Sequence, residues 1–474
     1  MITKIARKEF TEMWRDGRFR WSALIVLALL VAALALGWKN YTTAKAEQTR
    51  AQAESRESWT NQGERNPHSA AHFGVYAFRP KMPLSLVDSG LDNFTGTNVW
   101  VEAHYQNPLR GRLIEDATAL QRFGELTAAG VLQLLLPLMI IFLAFDAFAG
   151  ERTNGTLRQI LSLGVSRSQL VAGKTLGFLA VLLLLLIPAV VIGILALALA
   201  TGGDVLLSSV PRFLLLCISY LLYFVAFIGI ALSVSAFAAT TRTALIILLG
   251  FWIFSCLLAP RIANDLAERI YPTPTAAEFW AGVEKDMKEG IDGHNPANNR
   301  TKELEQKILA QYGAAKVENL PINFNGIALD AGEEYGNQVF DKHWRVVWQT
   351  YYAQENVQEL GGLFAPFLPV RSVSQGLAGT DLAHNEHFTN AVERYRRDFN
   401  RFLNINFAEN STTKDGYKYF VNRETWEKSP EFNYIAPNTN WVLSKQIFNL
   451  ALLFVWCFGA LGLAVVAANQ MKAY

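Results

Sequence analysis

Six stretches of this chain, each close to the about 20 residues that a helix needs to cross a bilayer, contain no Asp, Glu, Lys or Arg. They run from about Trp21 to Trp38, Leu126 to Phe145, Thr175 to Thr201, Phe213 to Thr240, Thr243 to Ala259 and Gln446 to Ala468. Unpaired backbone groups are too costly in lipid, so each stretch must be helical, and the alternating pattern of a membrane barrel is absent. The expected fold class is therefore an all-α polytopic membrane protein with six transmembrane helices. Composition agrees: 51% of the residues are apolar and only 18% charged, against about a quarter charged in soluble chains. Pro188 inside the third stretch predicts a bend.

Charge divides the remaining sequence. The chain carries 43 basic and 41 acidic residues, with no basic excess to hold nucleic acid. The short segments (residues 1–20, 146–174, 241–242 and the tail) hold 12 basic and 5 acidic residues, while the long connections 39–124 and 260–441 hold 29 and 34. By the positive-inside rule both termini are expected in the cytoplasm and both long connections outside. The expected organisation is an amphipathic elbow helix at 1–20, a first span at 21–38 and an outer stalk with an irregular part at 39–124. Spans two to five at 125–259 follow, then a large, mainly helical outer domain at 260–441, and a sixth span with its tail at 442–474. In the elbow, Ile2, Ile5, Phe10, Met13 and Trp14 recur at helical spacing with Lys4, Lys8, Glu9 and Glu12 between them, as in a helix lying on a membrane surface.

The outer connections carry helical stripes at Tyr335, Val339, Phe340, Trp344, Val347 and Tyr351, and at Phe388, Val392, Tyr395, Phe399, Phe402 and Leu403. Both read as core faces. The run Gly361 to Val370 is apolar but too short to span and predicts an interfacial strip. Ala226, Gly229, Ser233 and Ala236 share one face of the fourth span and favour close helix packing.

Chemistry is sparse. Cys217, Cys256 and Cys457 all sit in apolar runs, which excludes a disulfide framework or thiolate metal site. All seven histidines are in the outer connections; His384 and His387 stand one turn apart near Asp381 and could serve a transition metal, although surface or capping roles are the plainer reading. The spacing is not that of a zinc protease, and no metal ligand set is assigned. A Gly173-Lys174-Thr175 triplet lacks the glycine that a P-loop needs five positions earlier; Lys174 reads as a snorkelling interface residue. The chain is thus expected to bind no nucleotide or other cofactor of its own and not to be an enzyme.

Between the second and third stretches, Thr153 or Asn154 can cap a short helix through Thr156 to Leu163, Gly164 ends it, and Ser166 or Ser168 caps the next. Such an element, with Glu151, Arg152, Arg158 and Arg167 around Leu157, Ile160 and Leu161, suits a partner's groove; a plain loop is the alternative. The run Glu151-Arg152, Gly155-Thr156-Leu157, Leu161-Ser162, Val165-Ser166-Arg167 and Gly173-Lys174 resembles the signature of type-2 ABC transporter permeases, with Gly164 where proline is frequent. The resemblance implies a coupling helix near 152–164, formed by Glu151, Arg152, Gly155, Thr156, Leu157, Arg158, Leu161, Val165, Ser166 and Arg167, that sits in a cleft of an ATPase subunit. It also implies two ABC ATPase subunits that carry ATP and Mg, a second permease, identical or homologous, and a bacterial inner membrane.

Asn66 to His72, Asp88-Ser89-Gly90, Val101-Glu102-Ala103-His104, Ala378 to Asp381, His384, His387-Phe388 and Tyr395-Arg396 further resemble a subfamily of these permeases with a large uncharacterised outer domain. His68, His72, Glu102, His104, Asp381, His384 and His387 are the candidate functional residues there, with a periplasmic partner in view. The implied function is the permease subunit of a transporter that exports or extracts an unidentified substrate. The alternatives are an ATPase-driven mechanotransducing or scaffold complex, and an external metal enzyme on a membrane anchor.

Overall fold

The computed structural model describes residues 1–116, 125–291 and 295–471, so His294 and Lys472 lie outside the described residues. Among the described residues six helices are long and apolar enough to cross a membrane: Gly17–Thr60, Ala128–Thr153, Arg167–Ala200, Val205–Phe237, Thr241–Ile270 and Thr439–Gln470. They are called here the first to sixth spanning helices. The third runs unbroken through Pro188, and its outward face, with Leu184, Ile187, Val191 and Leu195 exposed, has the apolar character of a lipid-facing surface.

The fourth and sixth spanning helices lie closest. A Cβ placed on Gly229 would stand 2.8 Å from the carbonyl carbon of Ala460, and Ala226 and Ala236 are buried. The small-residue stripe thus serves contact within the subunit, where backbones can approach only without side chains between them.

Two helices widen by one π turn, at Val131–Leu135 and Phe254–Leu258, just ahead of Pro137 and Pro260. A proline ring displaces the carbonyl four residues back. The displaced Gln133 carbonyl is satisfied by the Tyr223 hydroxyl, which donates to it at 2.9 Å, and the Leu134 carbonyl accepts from Trp252 Nε1 at 3.0 Å.

The two long connections build one shared polar domain. The first spanning helix continues to Thr60 without Gly or Pro to stop it beyond Gly37, and Trp59 near its end is fully buried in the domain core. There Trp59 lies 4.7 Å from the Phe399 ring and 5.4 Å from Trp426, and its Nε1 donates to Ser429 Oγ at 2.8 Å. Around it stand Phe388, Val392, Phe399 and Leu403 of the helix Leu382–Glu409. An antiparallel pair, β1 (Val75–Phe78) and β2 (Asn98–Val101), closes this core in register Val75 to Val101. This two-stranded sheet, with isolated bridges between Arg65 and Val421 and between Asn98 and Arg110, is the departure from an all-α fold among the described residues.

The helix Phe324–Gly361 returns toward the bundle. At its end the Gly362 carbonyl accepts from Trp456 Nε1, midway along the sixth spanning helix, at 2.7 Å. The next helix, Phe367–Ala378, then packs between the fourth and sixth spanning helices. The expected interfacial strip is therefore split: Leu363 and Phe364 are exposed, while Phe367, Leu368 and Val370 are buried inside. Its proline breaks create a turn, and the turn lets half of the apolar run enter the core.

Candidate functional site

At the end of the bundle away from the polar domain, the second spanning helix stops at Thr153 and Gly155 takes a φ of +75°. That left-handed conformation reverses the chain at little steric cost only for glycine. The short helix Thr156–Ser162 follows, Gly164 (φ +77°) ends it, and Ser166 with Gln169 forms a capping box that starts the third spanning helix. The capping expected from Asn154 or Thr153 does not occur, because Gly155 itself holds the N-cap position without a side chain.

Three charged side chains fasten this element to the bundle. Arg152 donates to the carbonyls of Ala236 at 2.6 Å and Ala238 at 2.7 Å, the free acceptors at the end of the fourth spanning helix. Arg167 donates likewise to Ala468, at 3.1 Å, and to Asn469 at the end of the sixth. Glu151 Oε1 lies 3.0 Å from Lys174 Nζ and 3.1 Å from Lys8 Nζ.

Lys174 corrects the snorkelling reading. Its side chain is 1% exposed, paired to Glu9 Oε1 at 2.7 Å as well as to Glu151, and its Nζ lies 5.4 Å from the centre of the Phe148 ring. The elbow helix, Ile2–Arg15, crosses the third spanning helix at Gly173 and Gly177, where an added Cβ would come within 2.6 Å of Ile5 Cβ and Glu9 Cβ respectively. Two glycines one turn apart let the helices approach until Glu9 reaches the ammonium. Neither Glu9 nor Lys174 stands out in sequence as a pair, since 165 positions separate them; the glycine spacing was the available signal.

What faces outward is narrower than the sequence implied. Leu157 is fully buried and Val165 nearly so, and Leu161 is half-buried; Thr156, Arg158, Ser166 and Leu163 are exposed, Leu163 at 75%. The exposed face of the short element therefore offers one cation, Arg158, and one large apolar side chain, Leu163, among small and polar residues.

In the polar domain the candidate residues separate into two groups. Asp381 caps the helix Leu382–Glu409 by accepting from the His384 N–H, and binds His384 Nδ1 at 2.6 Å; Gln446 of the sixth spanning helix donates to its other oxygen at 3.3 Å. Burial alone would raise the Asp381 carboxyl, but His384 holds it below its ordinary value. His387 Nδ1 instead meets the Tyr434 hydroxyl at 3.0 Å. The two histidines thus turn their Nδ1 atoms to different partners. Glu102 accepts from Asn107 at 2.8 Å. His68, His72 and His104 do converge, with a ligand atom of each within 4.8 Å of the others. Sequence alone placed His104 32 positions from His72 with nothing to join them.

Residues 3–472 match the family described as ABC-2 family transporter protein. Over 127 residues, 26% of this chain, the sequence is 35% identical to the probable ABC transporter permease protein NosY of Pseudomonas aeruginosa. That match spans 45% of the relative's length.

Proposed function

Since the chain belongs to the ABC-2 transporter family and is a multi-pass membrane protein of permease type, we propose that the helix Thr156–Ser162 is the coupling element through which separate ATPase subunits drive this subunit. ATP and Mg would be bound and ATP hydrolysed on those partners, two per complex, with a second permease beside this one. Both termini and the short helix face the cytoplasm of a bacterial inner membrane in this reading, and the polar domain faces outward. The charge division supports that orientation.

The observation that carries the proposal is the fastening of one exposed turn to four helices at once. Displacing Thr156–Ser162 pulls on the elbow and third spanning helices through Glu151 and Lys174. It pulls on the fourth through Arg152, and on the sixth through Arg167. A push there is carried by buried charge and close packing, and the bundle responds by shifting between discrete packings. The result would be export or extraction of a substrate not yet identified.

A second reading, mechanical work on an outer partner without solute movement, is favoured by the unbroken helix from Gly17 to Trp59, which joins the bundle to the domain core. Substrate-stimulated ATP turnover in proteoliposomes separates the two. For the coupling assignment, changing Arg158 and Leu163 together to Ala is expected to leave thermal stability unchanged while lowering ATPase co-purification and ATP turnover at least tenfold. Retention of both would refute it.

A further inference from the structure

We propose that His68, His72 and His104 form a binding site for one divalent transition ion of the zinc or copper class on the polar domain. His68 and His72 stand one turn apart on the helix Pro67–Phe73, which opens with Asn66 accepting from the His68 N–H. Their Nε2 atoms are 3.3 Å apart. Two nitrogens each about 2.0–2.1 Å from a tetrahedral zinc ion lie about 3.3–3.4 Å from one another. The three rings form a nearly even triangle, with centroids 4.7, 5.0 and 5.3 Å apart.

His104 is held in place by Glu333. Glu333, 7% exposed, accepts from His104 Nδ1 at 2.8 Å, and both its oxygens accept from the His104 backbone N–H at 3.1 Å. That leaves Nε2 of the ring free to ligate. A carboxylate on the far nitrogen of a histidine fixes its tautomer and raises its basicity, as in many metal sites. Glu333 is in turn aligned by the buried Arg396 at 3.5 Å. The backbone of His104 has a φ of +70°, the one non-glycine residue among those described with positive φ. Strain of that kind persists where the surroundings dictate it, and it gathers at functional sites.

Three imidazole nitrogens suit zinc or copper over magnesium or calcium, which take oxygen donors. With three protein ligands, a coordination position stays open, and the exposure of His72 turns it to solvent.

The test uses the full-length protein in detergent, stripped with a chelator and dialysed against Zn2+ or Cu2+, with bound metal counted by mass spectrometry. One ion per chain is expected, with nitrogen hyperfine structure from three imidazoles in the Cu2+ electron paramagnetic resonance spectrum. His72→Gln, at an exposed position, should fold normally and lose at least tenfold in affinity, as should His104→Asn, which tolerates the left-handed backbone. Glu333→Gln should weaken binding about 10–100-fold, and His384→Gln should change nothing. Absence of a stoichiometric ion, or a stoichiometric ion with undiminished affinity in His72→Gln and His104→Asn, would overturn the proposal.

Discussion

Lys174 and Arg396 are both sealed from solvent, at 1% and 3% side-chain exposure, and each sits between two carboxylates, but they serve different ends. Lys174 joins Glu9 and Glu151 across 165 and 23 positions of sequence. It binds three separate segments through one compact charge that imposes no plane. Arg396 stays largely within the polar domain's helix pair, sharing Glu393 one turn away and reaching Glu333 and Asn337 on the neighbouring helix. A guanidinium holds its partners in a plane, whereas an ammonium tolerates rotation. The first arrangement is a joint where helices meet and can turn; the second is a bracket that orients Glu333 and, through it, His104.

The largest effect should come from breaking the joint. Lys174→Met leaves Glu9 and Glu151 with only the half-exposed Lys8 nearby, and removing one partner of a buried ion network costs about 3–5 kcal/mol. Thermal unfolding in detergent should show that loss, and Glu9→Gln in the same chain should recover part of it. An unchanged midpoint would mean that the joint carries no stability.

Arg396→Lys retains the charge and loses the planar fork. Its expected cost is about 1.5–3 kcal/mol, that of lost charge-assisted hydrogen bonds. If Lys174→Arg proved as harmful as Arg396→Lys, the distinction between joint and bracket would not stand.

The smallest effect concerns two glutamates on one helix, Phe324–Gly361. Burial alone would raise Glu333, but His104 and Arg396 hold it below its ordinary value. Burial, together with Asp381 and Glu359, pushes Glu355 up to about 7. A carboxyl raised on folding adds stability that is complete below its unfolded value, near 4.5, and is lost as pH climbs through about 7. Glu355→Gln should therefore flatten the fall in unfolding temperature across that window. An equally steep fall in the variant would exclude Glu355 as its source.

Sequence made the bundle legible because hydrophobic length is a local property. Each apolar stretch became a spanning helix, and Gly164 and Ser166 ended and began helices as their conformational preferences dictate. The stripe on Leu382–Glu409 became the domain core for the same reason. What escaped was set by contacts between distant segments. Lys174 looked like an interface lysine because nothing nearby in sequence offers it a carboxylate in the core. Leu157 looked like a docking residue because helical periodicity shows a face without telling which side is covered. The histidines at 384 and 387 drew notice by spacing, while the three that converge depend on how β2 and the chain after it fold back onto the helix Pro67–Phe73.

The central claim is that the exposed turn fastened by the Lys174 joint receives the ATPase. A photoreactive amino acid placed at Leu163, and separately at Leu363 beside the middle of the sixth spanning helix, would test it in the complex assembled with its ATPase subunits. The account predicts a covalent adduct with the ATPase from position 163 and none from position 363. No adduct from 163, or equal adducts from both, would contradict it.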